Sequence, residues 1–115
     1  MGDLILCMLI SVFNTNIHSF FYTTKVAIPH MPEHAGGTII LCASVNPSVG
    51  HPELVDYTAT KGAIIGFGRA LSNQIVGEKG IRVNMVAPGP IWTPLMFVDP
   101  LVMRKVGKRL MIIVI

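Results

Sequence analysis

Tyr57 and Lys61 stand four residues apart in "VDYTATKGAIIGFGRA", residues 55–70. On a helix, positions i and i+4 project from one face about one turn apart. A phenol ordinarily titrates near pH ~10, and an ammonium is positive at neutral pH. A cation held beside a phenol favours the phenolate. Such a pair can give a proton to a reacting oxygen or take one from it. Ser44 lies thirteen residues before Tyr57, at the end of an apolar run. In open α/β sheets ligands bind at the carboxyl ends of the strands. A hydroxyl there can hydrogen-bond the same substrate oxygen that Tyr57 serves.

The flanking elements decide whether these groups meet. "SVFNTNIHSFFYTTKVAIPHM" (11–31) keeps a three-to-four apolar spacing and predicts a helix closed by "PHMP". "EHAGG" is a turn. "TIILCAS" (38–44) is short, apolar and β-branched, which predicts a strand buried on both faces. "VNPSVGHPE" is a loop, and the helix with Tyr57 and Lys61 should run from about 55 to 77, where "GEKG" stops it. "IRVNMVAPG" begins as a strand and breaks at Pro88. Helix, strand, helix, strand is the order of an open parallel sheet with helices on its faces. Beyond Pro100 the periodicity fades, and "VMRKVGKRLMIIVI" has the pattern of a basic amphipathic helix.

Other motifs compete with this reading. Gly62, Gly66 and Gly68 each cost a helix interior about 1 kcal/mol relative to Ala. Gly62 and Gly66, four apart, suggest a bare groove for a second helix, within the chain or in another subunit. "HMPEH" (30–34) matches the H-x-x-E-H string of inverted zinc peptidases. That chemistry needs a continuous helix, and Pro32, Gly36 and Gly37 place His30 and His34 where a helix ends. No metal site is expected. A serine-hydrolase reading of Ser44 with His51 and Asp56 lacks the G-x-S-x-G elbow.

With 115 residues the chain is long enough for one small domain. Apolar residues make up 51% and charged residues 13%, enough for a core but little polar surface to cover it. "RKVGKR" (104–109) holds four of the nine basic residues, so the +3 net charge is concentrated there. No aromatics interleave with it to stack on bases, so nucleic acid is not an expected partner. Cys7 and Cys42 form no CxxC and no metal spacing, which fits a reducing compartment. "LILCMLISVF" (4–13) follows an acidic Asp3 rather than a basic n-region, and falls short of the ~20 residues of a spanning helix. A cytoplasmic chain with no membrane span is expected.

Taken together, Ser44, Tyr57, Lys61 and "RVNMVAPGPIWT" resemble the short-chain dehydrogenase/reductase family. "TNIHSFFYTTKVAIPHM" is similar to that family's fourth helix, and the wording is nearest to the glucose/ribitol dehydrogenase-like branch. The resemblance covers residues 13–96, leaving divergent ends at 1–12 and 97–115 of a single domain, 1–115. It implies an NAD(P)-dependent oxidoreductase interconverting a small alcohol and a carbonyl. Tyr57 would be the general acid/base. Lys61 would tune it and bind the nicotinamide ribose, Ser44 would polarise the carbonyl, and Asn16 would hold a water in the proton relay. Pro88, Gly89, the Ile91 backbone and Thr93 would line the nicotinamide, with Tyr57 and Lys61 also contacting the cofactor. The family's Gly-rich cofactor loop and "NNAG" strand do not occur in this sequence. The implied architecture is therefore a partial Rossmann-like, doubly wound parallel sheet without the N-terminal cofactor-binding strands. A homo-oligomer through the two long helices is expected. The alternative is a catalytically inactive truncated remnant serving as a helix-interface module.

Overall fold

The computed structural model describes residues 3–34, 36–91 and 112–114. Helical backbone begins earlier than the apolar periodicity indicates. Helix α1 (Asp3–Phe13) passes through a π-turn (Asn14–His18) into α2 (Ser19–Ala27), and a 3-10 turn (Ile28–His30) closes the run. No Gly or Pro occurs between Asp3 and Ala27, so nothing local interrupts propagation until Pro29. Residues 3–12 of the segment read as a divergent end lie within α1. Among the described residues no helix is long and apolar enough to cross a membrane.

Strand β1 (Thr38–Cys42), the short helix α3 (Asn46–Val49), the long helix α4 (Val55–Lys79) and strand β2 (Arg82–Pro88) follow. β1 and β2 pair in parallel, in register from Thr38↔Arg82 to Cys42↔Val86. With α4 as the crossover they form one βαβ unit, the building block of a Rossmann-like sheet. Helix α4 stops at Gly80, whose φ of 65° is left-handed and whose N–H bonds to the Val76 carbonyl. Strand β3 (Ile112–Val114) adds to the far side of β2 and runs antiparallel, pairing Val86↔Val114 and Pro88↔Ile112. Ile112–Val114 therefore extends a sheet where an amphipathic helix was expected; the rest of that segment lies outside the described residues.

The core lies between the sheet and α4. Leu41 of β1 and Ala43 just after it, Val83 and Met85 of β2, and Ile64, Leu71 and Ile75 of α4 form one buried cluster that also takes Ile17. These strand residues share one parity and hence one face of the sheet. The opposite face is open: Ile40 is 65% exposed and Cys42 is exposed. The expectation of a two-sided buried strand is corrected here, because the described helices that pack on the sheet do so from one side. Gly68 is the close-approach glycine. A Cβ there would lie 2.6 Å from Met85 Sδ and 3.0 Å from Leu41 Cδ1, whereas one at Gly66 would meet nothing within 4 Å.

Candidate active site

Parallel pairing puts the carboxyl ends of β1 and β2 at one edge, and the ladder continues past the end of β1. Ala43 N–H donates to Val86 O (2.8 Å) and Val45 N–H to Pro88 O (3.1 Å). Ser44 is thereby held beside the end of β2. It is buried, and its Oγ accepts the Asn46 N–H at 3.2 Å, fixing the hydroxyl at the entry to α3. Pro88, the last residue of β2, and Gly89 after it are half-buried, and Ile91 is exposed. Thr93 lies outside the described residues.

The ladder also fixes where Cys42 points. Backbone groups of Gly37, Ala43 and Val45 face β2, so those of Thr38, Ile40 and Cys42 face the other edge of β1. There the Lys61 ammonium donates to the Cys42 carbonyl at 2.9 Å. The same ammonium lies 5.5 Å from the centroid of the Tyr57 ring, as i, i+4 spacing on α4 requires. The N-terminal half of α4 thus carries the phenol and the cation to the carboxyl ends of the strands. Asp56 donates nothing to a triad: its Oδ1 accepts the Tyr57 N–H at 2.8 Å in the first turn of α4. His51 Nδ1 likewise accepts the Glu53 N–H within its own loop, at 3.3 Å. Both groups have local work, which removes the physical basis for a serine-hydrolase site.

Asn16 arrives from the other helical run. It sits in the π-turn, where Ser19 N–H reaches back five residues to Asn14 O. Its side-chain Nδ2 donates to Thr60 Oγ1 at 3.1 Å, and Thr60 Oγ1 donates to the Tyr57 carbonyl at 2.8 Å. Thr60 carries no motif signal of its own in the sequence. Only its place three residues after Tyr57, on the helix face turned to the core, sets it apart. At the other end of the sheet, "HMPEH" closes the bottom of α4. His34 N–H donates to Lys79 O at 2.8 Å, and Glu33 pairs with Lys79. Among the described residues no group of three or more His, Cys, Asp or Glu side chains is placed to hold a metal ion.

A family profile described as short chain dehydrogenase matches residues 8–98. The chain belongs to the short-chain dehydrogenase family. It is 60% identical to the NADPH-dependent aldehyde reductase 1, chloroplastic, of Arabidopsis thaliana, over 73% of this chain and 28% of that protein. It is 56% identical to the glucose and ribitol dehydrogenase of Daucus carota, over 73% of this chain and 28% of the relative. A glucose and ribitol dehydrogenase homolog of Oryza sativa is 53% identical over 73% of this chain and 30% of its own length. The chain thus spans less than a third of each of these short-chain dehydrogenase relatives.

Proposed function

We propose that this chain carries the proton-transfer part of an NAD(P)-dependent short-chain dehydrogenase that interconverts an alcohol and a carbonyl. The observation that carries the proposal is the Lys61 ammonium, held between the Tyr57 ring at 5.5 Å and the Cys42 carbonyl at 2.9 Å at the sheet's carboxyl edge. In reduction Tyr57 Oη gives its proton to the carbonyl oxygen; in oxidation it takes the proton of the alcohol. Ser44 Oγ donates a hydrogen bond to that same oxygen, Lys61 stabilises the phenolate by charge, and Asn16 holds a water in the relay that returns the proton. A nicotinamide cofactor, when bound, supplies or accepts the hydride at the substrate carbon.

The donor set supports one end of that cofactor. An ammonium has three N–H donors, and Cys42 engages one, so Lys61 retains donors for ribose hydroxyls. Tyr57, Pro88, Gly89, the Ile91 backbone and Thr93 complete the nicotinamide end in this reading. A pyrophosphate is ordinarily received by a Gly-rich turn at a helix N-terminus, and the sequence has no such turn after a strand. Relatives named for an aldehyde and for glucose and ribitol point to aldehydes, aldoses and polyols as the first substrates to try. The groove lined by Ile17, Phe21, Ala63, Gly66 and Phe67 supports pairing of α2 and α4 with a second copy. The free Cys42 thiol supports a cytoplasmic location.

The test is NADPH and NADH titration of the purified chain, followed by cofactor oxidation with a panel of aldehydes, aldoses and ketones. Binding weaker than the micromolar range, which corresponds to about −8 kcal/mol, is expected, with slow turnover abolished by Tyr57→Phe. Turnover that survives Tyr57→Phe overturns the reading.

A further inference from the structure

We propose that Thr60 is a positioning residue that clamps the Asn16 side chain to the turn of α4 carrying Tyr57. The inference rests on the roles assigned to Tyr57 and Asn16 above. Thr60 is wholly buried, at 0% exposure, and a buried hydroxyl is costly unless its hydrogen bonds are met. Both are met, from two different helical runs: Asn16 Nδ2 at 3.1 Å and the Tyr57 carbonyl at 2.8 Å.

A hydroxyl has one proton to donate, and a carbonyl oxygen can only accept. The Thr60 proton therefore goes to Tyr57 O, and Thr60 Oγ1 can serve Asn16 only as an acceptor. That requires the NH2 end of the amide at Thr60 and turns Asn16 Oδ1 away from Thr60. Thr24 in α2 is the internal contrast. Its Oγ1 turns back on its own helix, to Phe20 O at 2.6 Å and Phe21 O at 3.2 Å, as mid-helix threonines commonly do. Thr60 makes the same backward bond and in addition receives a side chain 44 residues away in sequence.

The setting is rigid. Ile64, one turn beyond Thr60, is also wholly buried, and Ile17, next to Asn16, packs in the same core cluster. The π-turn re-aims the residues of its own turn, and Asn16 lies in the middle of it. A π-turn and a buried hydroxyl anchored on the Tyr57 carbonyl thus meet at one amide. The buried Thr60 hydroxyl, with both its donor and its acceptor capacity used, favours one arrangement.

The test compares Thr60→Val, which keeps the branched shape and removes the hydroxyl, with Thr60→Ser, which keeps the hydroxyl. In the 15N-labelled 115-residue chain, the Asn16 side-chain NH2 should be protected from solvent exchange in wild type and in Thr60→Ser. In Thr60→Val that protection should be lost while the backbone spectrum of the sheet is retained. NADPH-dependent turnover should fall by about 10²-fold in kcat with little change in KM, the scale of a misplaced catalytic group, and Thr60→Ser should restore it. Asn16→Ala approaches the bridge from its half-buried end, and should give the same loss of turnover if Thr60→Val does not fold. Unchanged Asn16 exchange in Thr60→Val, or failure of Thr60→Ser to rescue, overturns the proposal. A chain whose turnover ignores Tyr57→Phe overturns the functional reading instead, and the exchange measurement then decides the bridge alone.

Discussion

Gly68→Ala and Gly66→Ala form a pair in which intrinsic helix propensity is common and packing differs. Each exchange removes about 1 kcal/mol of glycine penalty in a helix interior. At Gly66 the new methyl meets nothing within 4 Å, so that gain should appear undiminished. At Gly68 the methyl would sit 2.6 Å from Met85 Sδ, 3.0 Å from Met85 Cγ and 3.0 Å from Leu41 Cδ1. Met85 and Leu41 are 4% and 2% exposed, so neither can swing into solvent, and α4 must lift from the sheet or the side chains leave their rotamers. Overpacking of this kind costs about 1–3 kcal/mol. Gly66→Ala should therefore raise stability by about 1 kcal/mol, and Gly68→Ala should fall below it by about 1–3 kcal/mol. Thermal melts would separate the two by roughly 4–8 °C for each kcal/mol. Equal shifts for the two variants would refute the packing of α4 on β1 and β2 described above.

Two further outcomes concern the lower end of the sheet. The hydrogen bond from Lys79, and then its charge, hold the Glu33 carboxyl below its ordinary value. A depressed carboxylate contributes stability above the unfolded value, near pH ~4.3, and loses it as pH falls through the folded value. The gap in melting temperature between wild type and Glu33→Gln should thus be present at pH 7, close on acidification, and shrink in salt because the pair is exposed; a gap that widens towards acid would contradict the pairing. His30 and His34 flank the end of a 3-10 turn rather than one face of a helix, so chelator should leave the melting temperature unchanged, and elemental analysis should find no stoichiometric zinc.

Local signals account for much of the site and little of its support. The i, i+4 spacing of Tyr57 and Lys61, the strand end at Ser44 and the stop at Gly80 are all set within a few residues, and such features are legible because helix and strand periods are fixed. The extension of helix back to Asp3 was not legible, since "LILCMLISVF" reads as one continuous apolar run, which periodicity alone does not assign to a helix. The glycines divide differently in space than in sequence. Gly62 and Gly66 have the spacing of a helix contact, but it is Gly68 that meets the sheet. Spacing records that three small residues are tolerated, and only the docking angle of α4 selects which one is required. The Thr60–Asn16 bond joins positions 44 apart and leaves no trace in either local pattern.

Sheet parity explains why Lys61 stands where it does. Along β1 the groups of Ala43 and Val45 serve β2, which obliges the Cys42 carbonyl to face the opposite edge, where β1 has no strand neighbour among the described residues. A carbonyl at a sheet edge with no strand partner is open to another donor, and Lys61 reaches it from α4 at 2.9 Å. Because α4 crosses from β1 to β2, its first turns must pass over the carboxyl end of β1. A lysine one turn after Tyr57 is therefore within reach of the strand and of the phenol at once. The distance of 5.5 Å to the Tyr57 ring is thus a product of two constraints, the helical repeat that places Lys61 behind Tyr57 and the strand parity that anchors its ammonium. An ammonium has three donors, and the Cys42 carbonyl takes one of them.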